Sequence, residues 1–166
     1  MYSMRLVKRI MVVIVSVLVL IQFIRPKRNS APGLSPTDIS TKLEFPQEVQ
    51  TILQNSCYDC HSDNTRYPWY AEVQPVGWLL SDDIQDGKKE LNFSQFGSYT
   101  VRRQYIKLNN IIDQIKEEKM PLPKYLFIHT DARLSQEQRD IIIAWAKAVE
   151  DSIKARYPAD SLARRH

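Results

Sequence analysis

The two cysteines limit the possible fold and chemistry of this chain more than any other feature, because they stand three residues apart with a histidine directly after the second. Cys57 and Cys60 are the only cysteines among 166 residues, and His61 completes a C-x-x-C-H sequence. Two thiols one helical turn apart can each add to one vinyl group of a haem, and the histidine then lies beneath the ring, where it can bind iron. The motif therefore predicts one covalently attached c-type haem per chain, with His61 as the proximal iron ligand.

Other uses of a C-x-x-C pair fit this sequence less well. A thioredoxin-like dithiol lies at the junction of a strand and a helix, whereas a helical pattern precedes Cys57. A zinc site needs about four ligands, and the chain has only two cysteines and three histidines. A disulfide between the cysteines would close a very small loop and stabilise little. Haem attachment is the interpretation that the motif favours.

The iron of a c-type haem usually takes a second axial ligand from methionine or histidine. Met120 is the only methionine after residue 11, and it stands between Lys119 and the Pro121-Leu122-Pro123 segment. The prolines stiffen this loop, so we predict that Met120 is the distal ligand. His129 as ligand and an open sixth position remain alternatives, and a methionine that merely fills a core gap is the structural alternative.

The distribution of charge argues against nucleic-acid binding. Residues 1–44 carry a net charge of +5, residues 45–155 carry −3, and residues 156–166 carry +2. A nucleic-acid-binding domain needs a basic face on its folded part, but here the basic surplus lies at the two ends. Basic ends suit a membrane surface better. The partners that we predict are the membrane and redox proteins, with no nucleic acid.

An apolar run occupies residues 10–24, between three basic residues on each side. If Leu6 and Val7 are included and Lys8 and Arg9 extend to the interface, the segment is long enough for a hydrocarbon core of about 30 Å. A cleaved signal peptide is the alternative, although no good small-x-small site follows the run. We therefore predict a signal anchor over residues 1–24, with the protein in the cytoplasmic membrane and its haem domain in the periplasm.

The remaining chain divides into three parts. Residues 25–44 are polar and contain three prolines, which predicts a tether that lets the domain swing between redox partners. Residues 45–155 are predicted to form the haem-binding domain, and residues 156–166 a basic C-terminal tail.

Helical patterns occupy the predicted domain, and no convincing alternating strand is seen. Pro46 and Pro75 each begin a helical segment, and Ser135 with Gln138 forms a capping box before the last helix. The prediction is an all-α, cytochrome c-like domain behind an N-terminal membrane helix. The apolar residues expected to face its core recur at helical spacing: Val49, Ile52, Leu53; Val76, Leu79, Leu80, Ile84; Val101, Tyr105, Leu108, Ile112, Ile115; Ile142, Trp145, Val149, Ile153.

Several segments follow one another over roughly residues 45–150: Asn55–Ser62, Thr65–Tyr70, Leu91–Ser94, Met120-Pro121 and His129–Ser135, followed by Trp145. In this succession the chain resembles the bacterial haem-binding domain family, whose members are small monohaem proteins related to class I cytochromes c. The resemblance implies haem thioethers at Cys57 and Cys60, a proximal ligand at His61 and a distal ligand at Met120. Relatives often have a histidine where Asp83 stands.

A porphyrin is a large apolar plate that needs aromatic and aliphatic neighbours. Aromatic residues with polar tips can also reach the propionates, and Arg66 can pair with one of them. Ordinary core packing is the alternative for each aromatic residue. The residues predicted for the haem pocket are Arg66, Tyr67, Trp69, Tyr70 and His129, with Trp78, Phe93 and Trp145 as further candidates.

These features favour an electron carrier over an enzyme. An iron with both axial positions filled can pass single electrons but has no open site for a substrate. The alternatives are a peroxidase-like haem enzyme, with His129 as its acid–base residue, and a membrane-anchored haem sensor. Both alternatives require an open sixth position.

Overall fold

The computed structural model describes residues 2–163, with side chains from residue 4 onward, and over this range it contains helices and turns but no strand. The all-α prediction is therefore confirmed. Short 3₁₀ turns lie at Trp69–Glu72, Phe93–Ser98 and Thr130–Ala132. The helices are α1 (Tyr2–Ile21), α2 (Ile39–Lys42), α3 (Gln47–Ser56), α4 (Tyr58–His61), α5 (Val76–Glu90), α6 (Val101–Lys116), α7 (Pro123–Leu126), α8 (Gln136–Arg156) and α9 (Ala159–Leu162).

Local sequence signals set the ends of the main helices. Pro46 and Pro75 directly precede α3 and α5, as predicted. The Ser135 side chain accepts a hydrogen bond from the backbone N–H of Gln138, whose own side chain accepts from the Ser135 backbone N–H. This capping box satisfies two backbone donors at the start of α8.

Helices α6 and α8 pack along each other, and α3 packs against α8. The predicted core faces of α3, α6 and α8 are confirmed by the burial of Leu53, Leu108 and Ile142, each at most 1% exposed. Because these side chains come from three helices, their burial joins α3, α6 and α8 around one apolar core.

The predicted core face of α5 is wrong in part. Val76 and Leu79 are exposed, whereas Gly77, Ser81 and Ile84 are buried. A Cβ atom on Gly77 would come within 2.4 Å of the Ala71 carbonyl oxygen. The first turn of the helix therefore lies so close to the turn at Trp69–Glu72 that Gly77 faces inward there, while Ile84 is buried farther along the helix.

Helix α1 covers most of the N-terminal apolar run, and its large apolar side chains are exposed. It also contains Arg5, Lys8 and Arg9. Within residues 2–163 no helix is long and apolar enough to cross a membrane. The membrane-spanning helix predicted for residues 1–24 is therefore not confirmed.

The segment predicted as a tether packs against the domain. Ile39 is fully buried in the core, and the buried Asp38 accepts hydrogen bonds from the Ser40 backbone and from the Tyr58 hydroxyl at 3.1 Å. The Trp145 indole donates to the Glu44 carbonyl at 3.0 Å. Residues 38–44 are therefore part of the fold, which differs from the flexible tether expected from composition.

Asn29 connects the N-terminal segment to the loop that follows the cysteine motif. Its side-chain amide donates to the Ser62 carbonyl at 2.8 Å and to the Thr65 hydroxyl at 2.9 Å, and its side-chain oxygen accepts from Lys88. Its backbone N–H donates to the Tyr67 hydroxyl at 2.7 Å. This one residue thus joins the N-terminal segment both to the motif loop and to α5.

Replacing Asn29 by alanine is expected to lower the free energy of unfolding by roughly 2–3 kcal/mol, since three side-chain hydrogen bonds are lost at about 1 kcal/mol each. Guanidinium unfolding of the full chain, followed by circular dichroism, measures this. The exposed neighbour Ser30, changed to alanine, is the matched control and should stay within about 0.5 kcal/mol of wild type. Equal stability of the two variants would contradict this role for Asn29.

The end of the chain also packs against the domain. Leu162 of α9 is buried, and the Arg102 guanidinium of α6 donates to the Ser161 carbonyl at 2.8 Å. The predicted basic tail is therefore packed against α6 at residues 159–162, and its residues 164–166 lie outside the described part of the chain.

Candidate functional site

The cysteine motif forms a single helical turn at the end of α3. The Cys57 backbone N–H donates to the Leu53 carbonyl at 2.9 Å, and the His61 N–H donates to the Cys57 carbonyl at 3.0 Å. Cys57 therefore ends α3 and begins α4. The two thiols and the imidazole come from one compact turn, as the spacing of the motif predicts.

Helix α5 packs against this turn through a glycine. A Cβ atom on Gly87 would lie 2.7 Å from the Cys60 carbonyl oxygen and 3.3 Å from the Cys60 Cβ. Since the obstructing atom belongs to the backbone, a larger residue at position 87 would push α5 away from the motif. Gly87 thus allows the close approach that brings the end of α5 under His61.

The imidazole of His61 is fixed by the end of α5. Its Nδ1 lies 3.0 Å from the Leu91 carbonyl oxygen, and a carbonyl only accepts hydrogen bonds, so Nδ1 carries the proton. Burial lowers the pKa of His61, although the hydrogen bond to Leu91 acts in the opposite direction. The neutral ring therefore has its lone pair on Nε2, which is the form that binds a metal.

Both cysteines are held as thiols. Burial, with a smaller contribution from Cys60, raises the pKa of Cys57 to about 12. Burial, followed by the nearby Asp59 carboxylate, raises the pKa of Cys60 to about 11. A reactive dithiol needs an easily formed thiolate, so these surroundings disfavour that alternative.

A cavity of about 420 Å³ lies beside the motif and reaches to Met120. Cys57, His61 and Met120 line it, while most of the wall is apolar. Its size lies within the range of small-molecule and cofactor sites. The apolar wall is formed by Leu53, Leu91, Phe93, Ile111, Ile115 and Pro121, and the further polar residues that line it are Ser56, Glu90, Lys107, Asn110 and Gln114.

The loop after α6 positions Met120. The backbone N–H groups of Lys119 and Met120 donate to the Gln114 carbonyl at 3.0 and 3.4 Å, and the following Pro121 is buried. Met120 is partly buried against the core. The structure thus brings the thioether and the His61 imidazole, 59 positions apart in sequence, to one cavity.

This donor set suits a haem iron. A neutral imidazole and a methionine thioether are the axial pair found in cytochromes c, and the apolar wall suits the porphyrin plate. A family profile described as a haem-binding domain matches residues 16–148. The chain belongs to this haem-binding domain family. Membership confirms the family that the sequence resembles, and with it the haem as cofactor.

This haem-binding domain also resembles part of a larger curated protein. It is 26% identical over 97 residues to "Cytochrome c peroxidase Ccp" from Escherichia coli (strain K12), a match that covers 57% of this chain. The match spans 21% of the length of that relative. No solved structure matches this chain with significance.

None of the five further pocket residues predicted for the haem-binding domain lines the cavity shared by His61 and Met120. The Arg66 guanidinium pairs with the Asp59 carboxylate at 3.2 Å and donates to the Gln54 carbonyl at 2.9 Å. Tyr67 accepts from Asn29, as described above. Both residues brace the motif loop from outside the cavity.

The other three predicted pocket residues lie together with Tyr125. The Tyr70 hydroxyl lies 2.6 Å from His129 Nε2, and the His129 ring stacks on Tyr125 with their centroids 4.2 Å apart. The Tyr125 hydroxyl donates to Asp59 at 3.2 Å, which places this cluster beside the motif. Trp69 meets the Tyr70 ring edge to face but is itself 80% exposed.

Of the three further aromatic candidates, Phe93 lines the cavity. Trp78 donates to the Ile24 carbonyl, and Trp145 lies in the core beside Phe45. The polar residues of α6 that line the cavity, Lys107 among them, were missed. Positions 107, 110 and 114 are three and four residues apart, so the helical periodicity of α6 could have placed them on one face of the helix.

Proposed function

We propose that this domain binds one c-type haem through thioethers at Cys57 and Cys60, with His61 and Met120 as axial ligands, and that it transfers single electrons. The supporting observation is that a neutral, oriented imidazole and a thioether line one apolar cavity together with Cys57, while Cys60 lies on the same helical turn without lining it. The haem supplies an iron that alternates between the ferric and ferrous states.

The residues of the chain have separable tasks in this proposal. The Leu91 carbonyl holds His61 in one tautomer and one orientation, which makes Nε2 the stronger ligand. The apolar wall keeps water away from the iron and favours the ferrous state. Met120 fills the position that a substrate would otherwise take, so that electron transfer is the chemistry that remains.

The absorption spectrum of the purified chain, matured with the haem-attachment machinery, tests the proposal. We expect a low-spin spectrum, a weak red band from methionine-to-iron ligation in the oxidised protein, and a haem that stays attached after denaturation in alkaline pyridine. A haem that is lost on denaturation would contradict the thioethers. A high-spin ferrous form that readily binds carbon monoxide would contradict Met120 ligation.

The second candidate is reduction of hydrogen peroxide, which the similarity to a cytochrome c peroxidase favours. Peroxide turnover needs an open sixth position with an acid–base group beside it. The residue predicted for that role, His129, bonds to Tyr70 and does not line the cavity.

Peroxide consumption with a reduced dye as donor separates the candidates, since an electron carrier ligated by Met120 should show almost none. Carbon monoxide binding without peroxide turnover would instead favour a sensor.

We propose further that the domain works in the periplasm, at the face of the cytoplasmic membrane, because c-type haem is attached on that side. The exposed apolar side chains of α1 and its three basic residues support association with a lipid surface. Fractionation of cells tests this. We expect the haem-stained protein in the membrane fraction and its degradation by protease added to spheroplasts, whereas protection from protease would contradict a periplasmic domain.

A further inference from the structure

The haem cavity is lined by a lysine whose side chain is largely shielded from water. Lys107 lies in the middle of α6, lines the cavity, and has a side chain that is only 14% exposed. Among the residues that line this cavity it is the only lysine or arginine. A charge partly shielded from water in this way is stabilised by a partner of opposite charge.

The partner that Lys107 has in the structure is a poor one. Its Nζ lies 3.4 Å from a Glu90 carboxylate oxygen, and that glutamate side chain is 80% exposed to water. Charge-assisted hydrogen bonds are normally about 2.7–2.9 Å long. Lys88 and Lys124 meet their carboxylate partners at 2.7 and 2.6 Å. The charge of Lys107 is thus only weakly compensated, so it can accept a second anion.

The haem that this cavity suits carries two propionate carboxylates. Asn110 and Gln114 follow Lys107 at intervals of three and four residues, so all three lie on one face of α6 and line the same cavity. The other residues that line the cavity offer a carboxylate no lysine or arginine. Arg66, the residue predicted to bind a propionate, is engaged by Asp59 and lies outside the cavity.

We propose that Lys107 binds a haem propionate, with Asn110 and Gln114 on the same helix face. The proposal rests on the haem site proposed above and adds an anchoring residue to it. A propionate paired with Lys107 stays ionised over a wide pH range, because the ammonium group lowers the pKa of the carboxyl. The lysine also offsets a negative charge that would otherwise favour the ferric state.

The test compares haem-loaded Lys107→Gln with wild type by redox titration at several pH values. We expect the variant to have a lower midpoint potential, equivalent to a roughly three- to tenfold shift toward ferric protein at a fixed applied potential. Its potential should also become pH-dependent between about pH 5 and 8, where a carboxyl of raised pKa titrates. Lys107→Arg keeps the charge and should behave like wild type.

Lys116→Gln is the matched control, because it removes the same charge from an exposed position on α6 that does not line the cavity. If Lys107→Gln titrates like Lys116→Gln, the proposal for Lys107 fails while the haem site stands. Failure of the haem site itself is seen separately, as wild-type protein that carries no covalent haem. If Lys107→Gln takes up no haem, Lys107→Arg decides: uptake with the wild-type potential supports the proposal, and any other result overturns it.

Discussion

Replacement of Met120 by alanine is expected to turn a low-spin haem into a high-spin haem and to lower its reduction potential. Met120 lines the cavity together with His61, and its loop is held by hydrogen bonds to Gln114. Loss of the thioether opens the sixth position and removes a ligand that favours the ferrous state. We expect a fall on the order of 0.2 V, within the roughly 0.8 V over which axial ligands set haem potentials.

Absorption spectra and redox titration measure both effects, and carbon monoxide should bind the ferrous variant rapidly. Met11→Ala, at an exposed position on α1, is the matched control and should leave the spectrum unchanged. Met120→His should restore a low-spin spectrum but not the potential, because histidine favours the ferric state more than methionine does. An unchanged spectrum in Met120→Ala would mean that Met120 does not bind the iron.

Replacement of both Cys57 and Cys60 by serine is expected to abolish covalent haem attachment completely. The thiols lie on one helical turn, and burial holds them protonated, with a raised pKa for each. Serine is close to cysteine in size, so the packing of α4 against Gly87 should be retained while the sulfur chemistry is lost. Haem staining after denaturing electrophoresis, together with extraction in acidified acetone, measures the result.

The single variants Cys57→Ser and Cys60→Ser serve as internal controls. Each should keep at most one thioether, and the band of the reduced haem in pyridine should shift toward the red because one vinyl group remains unsaturated. Full haem attachment in the double variant would show that the cysteines are not the attachment points. A normal attachment in both single variants but none in the double variant would show that either thioether suffices.

The parts of the site that the sequence predicted depend on local signals. The C-x-x-C-H motif needs only one helical turn, and the capping box of α8 is complete within four residues. Met120 was found by elimination, since it is the single methionine after residue 11. The structure adds that the Met120 loop shares a cavity with His61, which no local pattern shows.

The parts that sequence reasoning missed depend on contacts between distant residues. Arg66 was one candidate to pair with a propionate, but the structure pairs it with Asp59. The start of α5 approaches the turn at Trp69–Glu72 so closely that only Gly77 fits there, and this displaces Val76 and Leu79 from the inward face. Asn29 has no local signature, because its partners Ser62 and Thr65 lie more than 30 residues away.

The attachment of the N-terminal segment determines how this domain can find other molecules. Two further contacts add to those of Asn29. The side chain of Gln22 exchanges two hydrogen bonds with the backbone of Gln74, and Arg25 pairs with Glu72 at 2.6 Å. Because the end of α1 is bonded to the domain, any surface that holds α1 also fixes the direction in which the domain faces. A flexible linker would let the domain sample a large volume, which would lower its effective concentration at any one place. A domain held in one orientation would instead be presented at a single distance and direction, which would favour partners whose docking surface lies there.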